Sequence, residues 1–346
     1  MKIASKLSTG LVGLVIGGTL VPAVASAAPS APAGFAITTF AAAPQTMPAT
    51  TGADDITNLS DDVFVGWQNG VGPKGEPNST TGQATSLLVE YSASGRQVGS
   101  WALPGKIDGL GSDPAEHRVI ASVNEDGNSS LYTITPSAPS GQQVRHYTYS
   151  PAPDSASTGG PFTGGGTDTV TVFRGHVYLT ASNPMSTGAT AVFEALLDPS
   201  SGVATLRPTF EDSSSARDAV TGEHVKLHLT DPDSSAVVPR SAPRFGGDFV
   251  LVSQGDQRLV FARRLSPKPE DLRRLLLRRF DDRAGIDDLR WSAGTGGRLL
   301  VVDNGTGTVY AVSGNFAADT AFASLDTVGV NADTTEVDVS TCIRAS

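Results

Sequence analysis

The sequence predicts an all-β protein folded as a β-propeller, and three observations support this prediction. The 346 residues include 38 Gly and 22 Pro, a content that disfavours a helix-rich fold. Charged residues make up 17% of the chain, against about 25% in ordinary soluble domains, which excludes a coiled coil and a charge-driven disordered chain. Short runs typical of strands also recur in one order along the chain, separated by turn residues.

The recurring unit starts with a short Asp-containing run and continues with a β-rich run that ends in a side-chain amide. Its clearest copies begin at Ile107–Leu110 and Ile286–Leu289, and a third begins at Thr167–Val170. The five amides that end these β-rich runs are Asn69, Asn124, Asn183, Gln254 and Asn304. Further strands follow in most units, so each unit is predicted to be a meander of three or four short strands.

A meander of this size cannot bury both of its faces alone. Radial stacking of such sheets around an axis covers the faces and leaves only short edges exposed, and this arrangement is a β-propeller. Five visible units and one sheet assembled from the two ends of the chain predict six blades, with seven as the alternative count. A tandem pair of β-sandwiches is the alternative architecture.

One stretch departs from the repeat in composition, because basic residues are concentrated between Arg263 and Arg283. Its pattern fits either an N-capped helix with an apolar stripe or a strand near Leu275–Leu277. The phase of the repeat favours the strand.

The N-terminus has the features of a secretory signal peptide. Lys2 and Lys6 precede an apolar stretch, and Ala25 and Ala27 form a small-residue cleavage signal. We therefore expect a signal peptide over residues 1–27, an Ala-, Pro- and Thr-rich arm over 28–53, and a single propeller domain over 54–346. The apolar stretch is shorter than the roughly 20 residues that span a bilayer. The protein is therefore expected to be secreted, to the extracellular space or to the periplasmic and envelope side.

Composition also limits the partners. A net charge of −10 and a pI near 4.9 argue against nucleic acid, which requires a basic face. The single cysteine, Cys342, allows no internal disulfide and is expected to be an unpaired thiol, with an intermolecular disulfide as the alternative. We expect a monomer without a transmembrane segment, whose ligand is a small molecule, a glycan or a protein.

Three Asp and three Asn residues keep a near-constant offset within the repeat. The pairs are Asp108 with Asn124, Asp168 with Asn183, and Asp287 with Asn304. Equivalent positions in a radial fold form rings around its axis, and carboxylate and amide oxygens are the hard ligands that Ca²⁺ prefers. These six residues are therefore the candidate calcium site in the central channel. The alternative is that Asp and Asn at strand ends hydrogen-bond to their own turns.

Four segments carry a resemblance to a known family: Lys106–Leu110, Asn124–Gly127, Ile286–Leu289 and Leu300–Asn304. Over roughly residues 54–340 the chain resembles secreted bacterial β-propellers of the NHL and senescence-marker/gluconolactonase type. The gluconolactonase-like branch implies a divalent metal in the central channel, held by one Glu, Asn residues and an Asp. The chain offers Asn and Asp candidates for this set, and no Glu matches the family's ligand in an early blade.

Two functions fit these observations. The first is a secreted β-propeller that acts as a binding or scaffold protein without catalysis, because the repeat framework contains no identifiable nucleophile or base. In particular, the Gly-x-Ser-x-Gly motif of nucleophile-elbow hydrolases does not occur. The alternative is a divalent-metal-dependent, lactonase-like hydrolase or a lyase that acts in the central channel, and the Asp and Asn ring motivates it.

Overall fold

The computed structural model describes residues 29–44, 52–153, 166–184, 188–265, 272–276, 284–292, 294–327 and 337–343. The predicted signal peptide, residues 1–27, lies outside the described residues. No helix within the described ranges has the length and the apolar character needed to cross a membrane.

The described strands form six groups, which we call sheets 1 to 6 in the chain order of their innermost strands. Sheet 1 contains β2 (Ala53–Leu59), β3 (Asp62–Trp67), β4 (Thr85–Tyr91) and β5 (Gln97–Pro104). Sheet 2 contains β6 (Ile107–Asp113), β7 (Arg118–Val123), β8 (Ser130–Ile134) and β9 (Val144–Ser150). Sheet 3 contains β10 (Thr167–Phe173), β11 (His176–Ala181), β12 (Thr190–Asp198) and β13 (Val203–Glu211), and β13 pairs in parallel with β9.

Sheet 4 contains β16 (Pro232–Val237), β17 (Phe249–Ser253), β18 (Arg258–Ala262) and β19 (Leu272–Leu276). A short hairpin of β14 (Ser215–Asp218) and β15 (His224–Lys226) extends its outer edge. Sheet 5 contains β20 (Ala284–Trp291) and β23 (Ala321–Thr327). Sheet 6 contains, in spatial order, β24 (Val337–Ile343), β21 (Arg298–Asp303), β22 (Thr308–Gly314) and β1 (Phe35–Ala42).

The sheets are arranged radially, as the sequence predicts. Their innermost strands contact one another in the circular order β2, β6, β10, β16, β20 and β24, and β24 contacts β2 again. Apolar clusters of described residues fill the space between successive sheets: Phe64 packs with Ile107 between sheets 1 and 2, and Phe261 packs with Ile286 between sheets 4 and 5. The circle closes where Trp67 of sheet 1 packs with Leu300 of sheet 6. This is the architecture of a β-propeller.

The burial of each strand follows from its place in a sheet. β7 and β8, in the middle of sheet 2, are buried on both faces, and Ser122, Ser130 and Thr133 are buried among their apolar residues. β9, at the outer edge, is mostly exposed, with Tyr147 as its buried residue. The stretch that fits either a helix or a strand contains strand β19, which pairs with β18.

Sheets 5 and 6 depart from the simple meander of sheets 1 to 4. In sheet 2, for example, β6 pairs with the next strand in the chain, β7. In the last repeat β20 pairs with β23, because β24 already occupies the edge of β21 where β20 would otherwise pair. Sheet 6 therefore combines strands from both ends of the described chain, including β1 from the predicted arm. The number of blades stays a prediction, since sheet 5 has two described strands.

Candidate cation site in the central channel

Five inner strands place an Asp at equivalent positions near one end of the channel. It is the second residue of β2, β6, β10 and β16 and the fourth of β20: Asp54, Asp108, Asp168, Asp233 and Asp287. In each strand this residue lies where a β-bulge shifts the pairing register. A bulge bends the strand and re-aims a side chain. The bulges therefore explain how five carboxylates lie at the centre although their strands belong to different sheets.

These five carboxylates line one cavity of about 40 Å³, together with the neighbouring Asp55 and Asp288. Arg290 is the basic residue among the described residues that line it. A cavity of this volume holds a few water molecules or one ion. Seven carboxylates around so small a space repel one another unless protons or a cation neutralise them. We call this space the acidic cavity.

Asp168 is the residue whose surroundings point most directly to a ligand. It is 5% exposed, and no donor from the described part of the chain reaches its carboxylate. Burial, followed by the negative charges of Asp233, Glu125 and Asp108, raises the pKa of Asp168 well above its ordinary value. A buried carboxylate of this kind is costly unless it is protonated or bound to a cation.

Asp108 differs from Asp168 because a lysine pairs with it, although burial outweighs this pairing and still raises the pKa of Asp108 above its ordinary value. Lys106 Nζ lies 2.8 Å from Asp108 Oδ1 and 2.5 Å from Glu125 Oε1. Asp108 Oδ2 also accepts a hydrogen bond of 3.0 Å from the Glu125 backbone N–H. Burial opposes the charged ammonium, but Asp108, Glu125 and Asp54 outweigh it, so the pKa of Lys106 lies above its ordinary value. Lys106 is thus a fixed positive charge beside Asp108, which lines the acidic cavity.

Two further carboxylates, Asp55 and Asp288, accept hydrogen bonds from neighbouring inner strands. Asp55 accepts hydrogen bonds from its neighbour Ile56 N–H, at 2.6 Å, and from Leu110 N–H on β6. Asp288 Oδ1 accepts from Ser234 on β16 and, at 2.5 Å, from Arg290 Nη1. The other oxygen, Asp288 Oδ2, is buried and has no hydrogen-bond partner within the described ranges. These contacts position the floor of the acidic cavity.

Asp287 accepts hydrogen bonds, unlike Asp168, but its donors are neutral, unlike the lysine that pairs with Asp108. Its Oδ1 accepts a hydrogen bond of 3.3 Å from Gln254 Nε2, and its Oδ2 accepts one of 3.2 Å from Ser324 Oγ. Gln254 is one of the amides that end the β-rich runs, and it reaches the Asp of the next sheet. Neutral donors of this kind orient a carboxylate without cancelling its charge.

The donor set fits a hard cation, because carboxylate oxygens and water are the ligands that Ca²⁺ prefers. Within the described ranges, no three Asp, Glu, His or Cys residues form a group arranged to hold a metal ion directly. Water molecules would therefore complete the coordination of an ion in this cavity.

The structure brings together half of the predicted ring. Asp108, Asp168 and Asp287 line the acidic cavity. Asn124 uses its side chain locally, accepting from Lys106 N–H at 2.9 Å and donating to Asn128 C=O at 3.1 Å. Asn183 is exposed and donates to Ser182 Oγ, and Asn304 lies beside Gly52. A role for these amides in cation binding stays a prediction.

The repeat did not reveal four of the acidic residues of this cavity: Asp54, Asp55, Asp233 and Asp288. The first three lie in strands whose flanking residues, Ala53 and Pro232, differ from the Ile or Thr of the recognised copies. For Asp54 and Asp233 the available signal was an Asp at the second position of the inner strand of a repeat. Asp338 has the same position in β24.

The opposite end of the channel has a different chemistry. A second cavity of about 420 Å³ lies at the far ends of the same inner strands, and Arg290 borders both cavities. Its described lining has no carboxylate: Thr57, Asn58, Leu110, Gly111, Ser112, Val170, Thr171, Val172, Ser235, Ala236, Val237, Pro239, Arg290 and Trp291. We call this space the neutral cavity.

No family model matches the chain, and no curated protein matches it. Among solved structures it is similar to a glutaminyl cyclase from Myxococcus xanthus, at 12% identity and a TM-score of 0.39 over 85% of this chain and 97% of that one. It is also similar to the β-propeller domain of Cps50 (Swd1) from Myceliophteria thermophila, at 9% identity and a TM-score of 0.41 over 78% and 88%. A third similar structure is a putative 6-phosphogluconolactonase from Bacteroides uniformis, at 12% identity and a TM-score of 0.38 over 83% of this chain and 69% of that one. Similarities of this size carry no information about the activity of this chain.

Proposed function

We propose that this protein is a secreted β-propeller whose central channel binds one divalent cation, of the calcium class, and that it serves as a binding or scaffold protein. The observation that carries the proposal is Asp168, a buried carboxylate with no donor among the described residues, in a cavity lined by six further Asp residues. The cation would relieve the mutual repulsion of these carboxylates and thereby stabilise the folded propeller.

The test is a calcium titration of the metal-free protein, followed by calorimetry and by thermal unfolding. Calcium at a hundred times its dissociation constant is expected to stabilise the fold by about 2.7 kcal/mol. Asp168→Asn should weaken calcium binding about a hundredfold or more, which is a loss of about 2.7 kcal/mol in binding free energy. In the absence of calcium the same variant should unfold at the wild-type temperature or above it, because it removes a buried charge.

Asp61→Asn is the matched control, since Asp61 is an exposed residue of the turn between β2 and β3. It should leave both calcium binding and unfolding unchanged. Wild-type protein that shows neither bound calcium nor a shift in unfolding would refute the proposal.

The second candidate is a metal-dependent hydrolase or lyase. The observation that favours it is the contact of Lys106 with Asp108, which would place an ammonium beside a bound cation. Turnover of a lactone or ester panel by wild-type protein, lost in Asp168→Asn and kept in Asp61→Asn, would establish it. The small volume of the acidic cavity favours the binding function.

Secretion and the relationship to the NHL and senescence-marker/gluconolactonase propellers are part of the same proposal. The signal-peptide pattern of residues 1–27 supports secretion. Mass spectrometry of the exported protein should find an N-terminus at Ala28. Retention of the full chain inside the cells would contradict this.

A further inference from the structure

Asp108 and Asp168 lie on neighbouring inner strands of the acidic cavity, and Lys106 makes their surroundings different. The ammonium bridges Asp108 and Glu125 at 2.8 and 2.5 Å, and it attracts Asp54 as well. Asp168, on the next strand, has no donor from the described residues. Lys106 directly precedes β6, and Asp108 is the second residue of that strand. The two charged groups therefore lie together at the start of β6.

Lys106 is held firmly in this place. Its side chain is 18% exposed, and its backbone N–H donates a 2.9 Å hydrogen bond to Asn124 Oδ1. The carboxylate of Asp108 is fixed from both sides, by Lys106 and by the Glu125 N–H. Its oxygens are therefore already engaged, whereas those of Asp168 are available to an ion.

From this geometry we propose that Lys106 is an internal counter-ion that removes Asp108 and Glu125 from cation binding and leaves Asp168 as the carboxylate that binds the divalent cation. The inference rests on the proposed function and deepens it. Asp108 then contributes to the site through its ion pair and not as a ligand. Lys106 also lowers the affinity of the whole cavity, because it is a positive charge that repels the incoming cation.

Two variants test this inference by calcium calorimetry at low ionic strength. Lys106→Met removes the positive charge and should tighten calcium binding about tenfold or more. The double variant Lys106→Met/Asp108→Asn removes the pair of Lys106 with Asp108 and leaves Glu125, whose side chain is 27% exposed, as a carboxylate in contact with solvent. It should bind calcium within about threefold of the wild-type affinity, since the net charge of the site is unchanged. Lys106→Arg is the matched control and should behave as the wild type.

The outcomes separate the inference from the proposed function. Loss of calcium binding in the double variant, with binding intact in the wild type, would overturn the inference and make Asp108 a ligand. Calcium binding by Lys106→Met but not by the wild type would refute the proposed function and the inference with it, because Lys106 would then be the cation that the cavity uses. Absence of binding in every variant would overturn both.

Discussion

The two ends of the channel are built from the same inner strands and yet differ completely in chemistry. The end at which these strands start is lined by seven Asp residues, and the end at which they finish is lined by hydroxyl, amide and apolar groups around Trp291. The bulges lie at the acidic end and turn the Asp side chains to the axis. Each of these inner strands therefore borders the acidic cavity at its start and the neutral cavity at its end, and the bulge lies in the acidic part.

Arg290 stands between the two ends and pairs with Asp288. The ion pair closes the floor of the acidic cavity and adds no net charge to the neutral one. The acidic end is therefore held in place by charge pairing at its floor and at Lys106, whereas the neutral end is held by packing and by hydroxyl hydrogen bonds. The following three variants test this contrast.

Arg290→Met should have the largest effect on the metal-free protein. It leaves Asp288, whose Oδ2 already has no partner within the described ranges, as a buried charge without its cation. The free energy of unfolding in a chelator should fall by about 3 kcal/mol. Calcium should restore part of this loss, and denaturant unfolding with and without calcium measures both quantities.

The control for this variant is Arg263→Met. The Arg263 side chain is 77% exposed and lies 4.0 Å from Asp248, so its removal should cost less than about 1 kcal/mol and leave the calcium response unchanged. Equal losses in the two variants would show that the channel ion pair has no special part in holding the acidic end.

Gly109→Ala should have the next largest effect, because β6 and β10 approach each other closely at the acidic end. An alanine Cβ at Gly109 would lie 2.5 Å from the backbone oxygen of Asp168. The same carbonyl accepts a hydrogen bond from Ser122, so it has little freedom to move away. Urea unfolding should show a loss of about 1–3 kcal/mol.

Gly294→Ala is the comparison for that variant, since a Cβ there meets no atom of the described residues within 4 Å. It should change stability by less than about 0.5 kcal/mol. If Gly109→Ala proves equally harmless, the close approach of the two strands is not what positions Asp168.

The fold could be predicted from the sequence where each repeat is self-contained. In sheet 2, Ile107–Leu110, Val119–Asn124 and Leu131–Ile134 follow one another in chain order and pair in that order. The pairing of β20 with β23 could not be predicted, because it depends on β24 reaching β21 from a distant part of the chain. The local sequence pattern of β20 does not show that β24 pairs with the edge of β21 in its place.

The site was predictable to a similar degree. Asp108, Asp168 and Asp287 stood out because their neighbours repeat, and the structure places all three in one cavity. Asp233 follows a Pro and therefore escaped the pattern. The division of the ring by Lys106 could not be predicted, since only the three-dimensional path of its side chain brings the ammonium to both Asp108 and Glu125.

The smallest effect is expected at the neutral end. Thr171 Oγ1 lies 2.7 Å from Ser235 Oγ and donates to the Ser235 carbonyl at 3.1 Å, which ties β10 to β16. Thr171→Val keeps the shape but removes these bonds, so the free energy of unfolding should fall by about 1 kcal/mol. The control is Thr57→Val. The Thr57 hydroxyl lines the same cavity and makes no such bond to the described residues, so the free energy of unfolding should stay within about 0.5 kcal/mol of the wild-type value. Both variants should bind calcium as the wild type does, because the hydroxyls lie beyond Arg290. A change in calcium affinity in Thr171→Val would mean that the two ends of the channel are coupled and that Arg290 does not separate them.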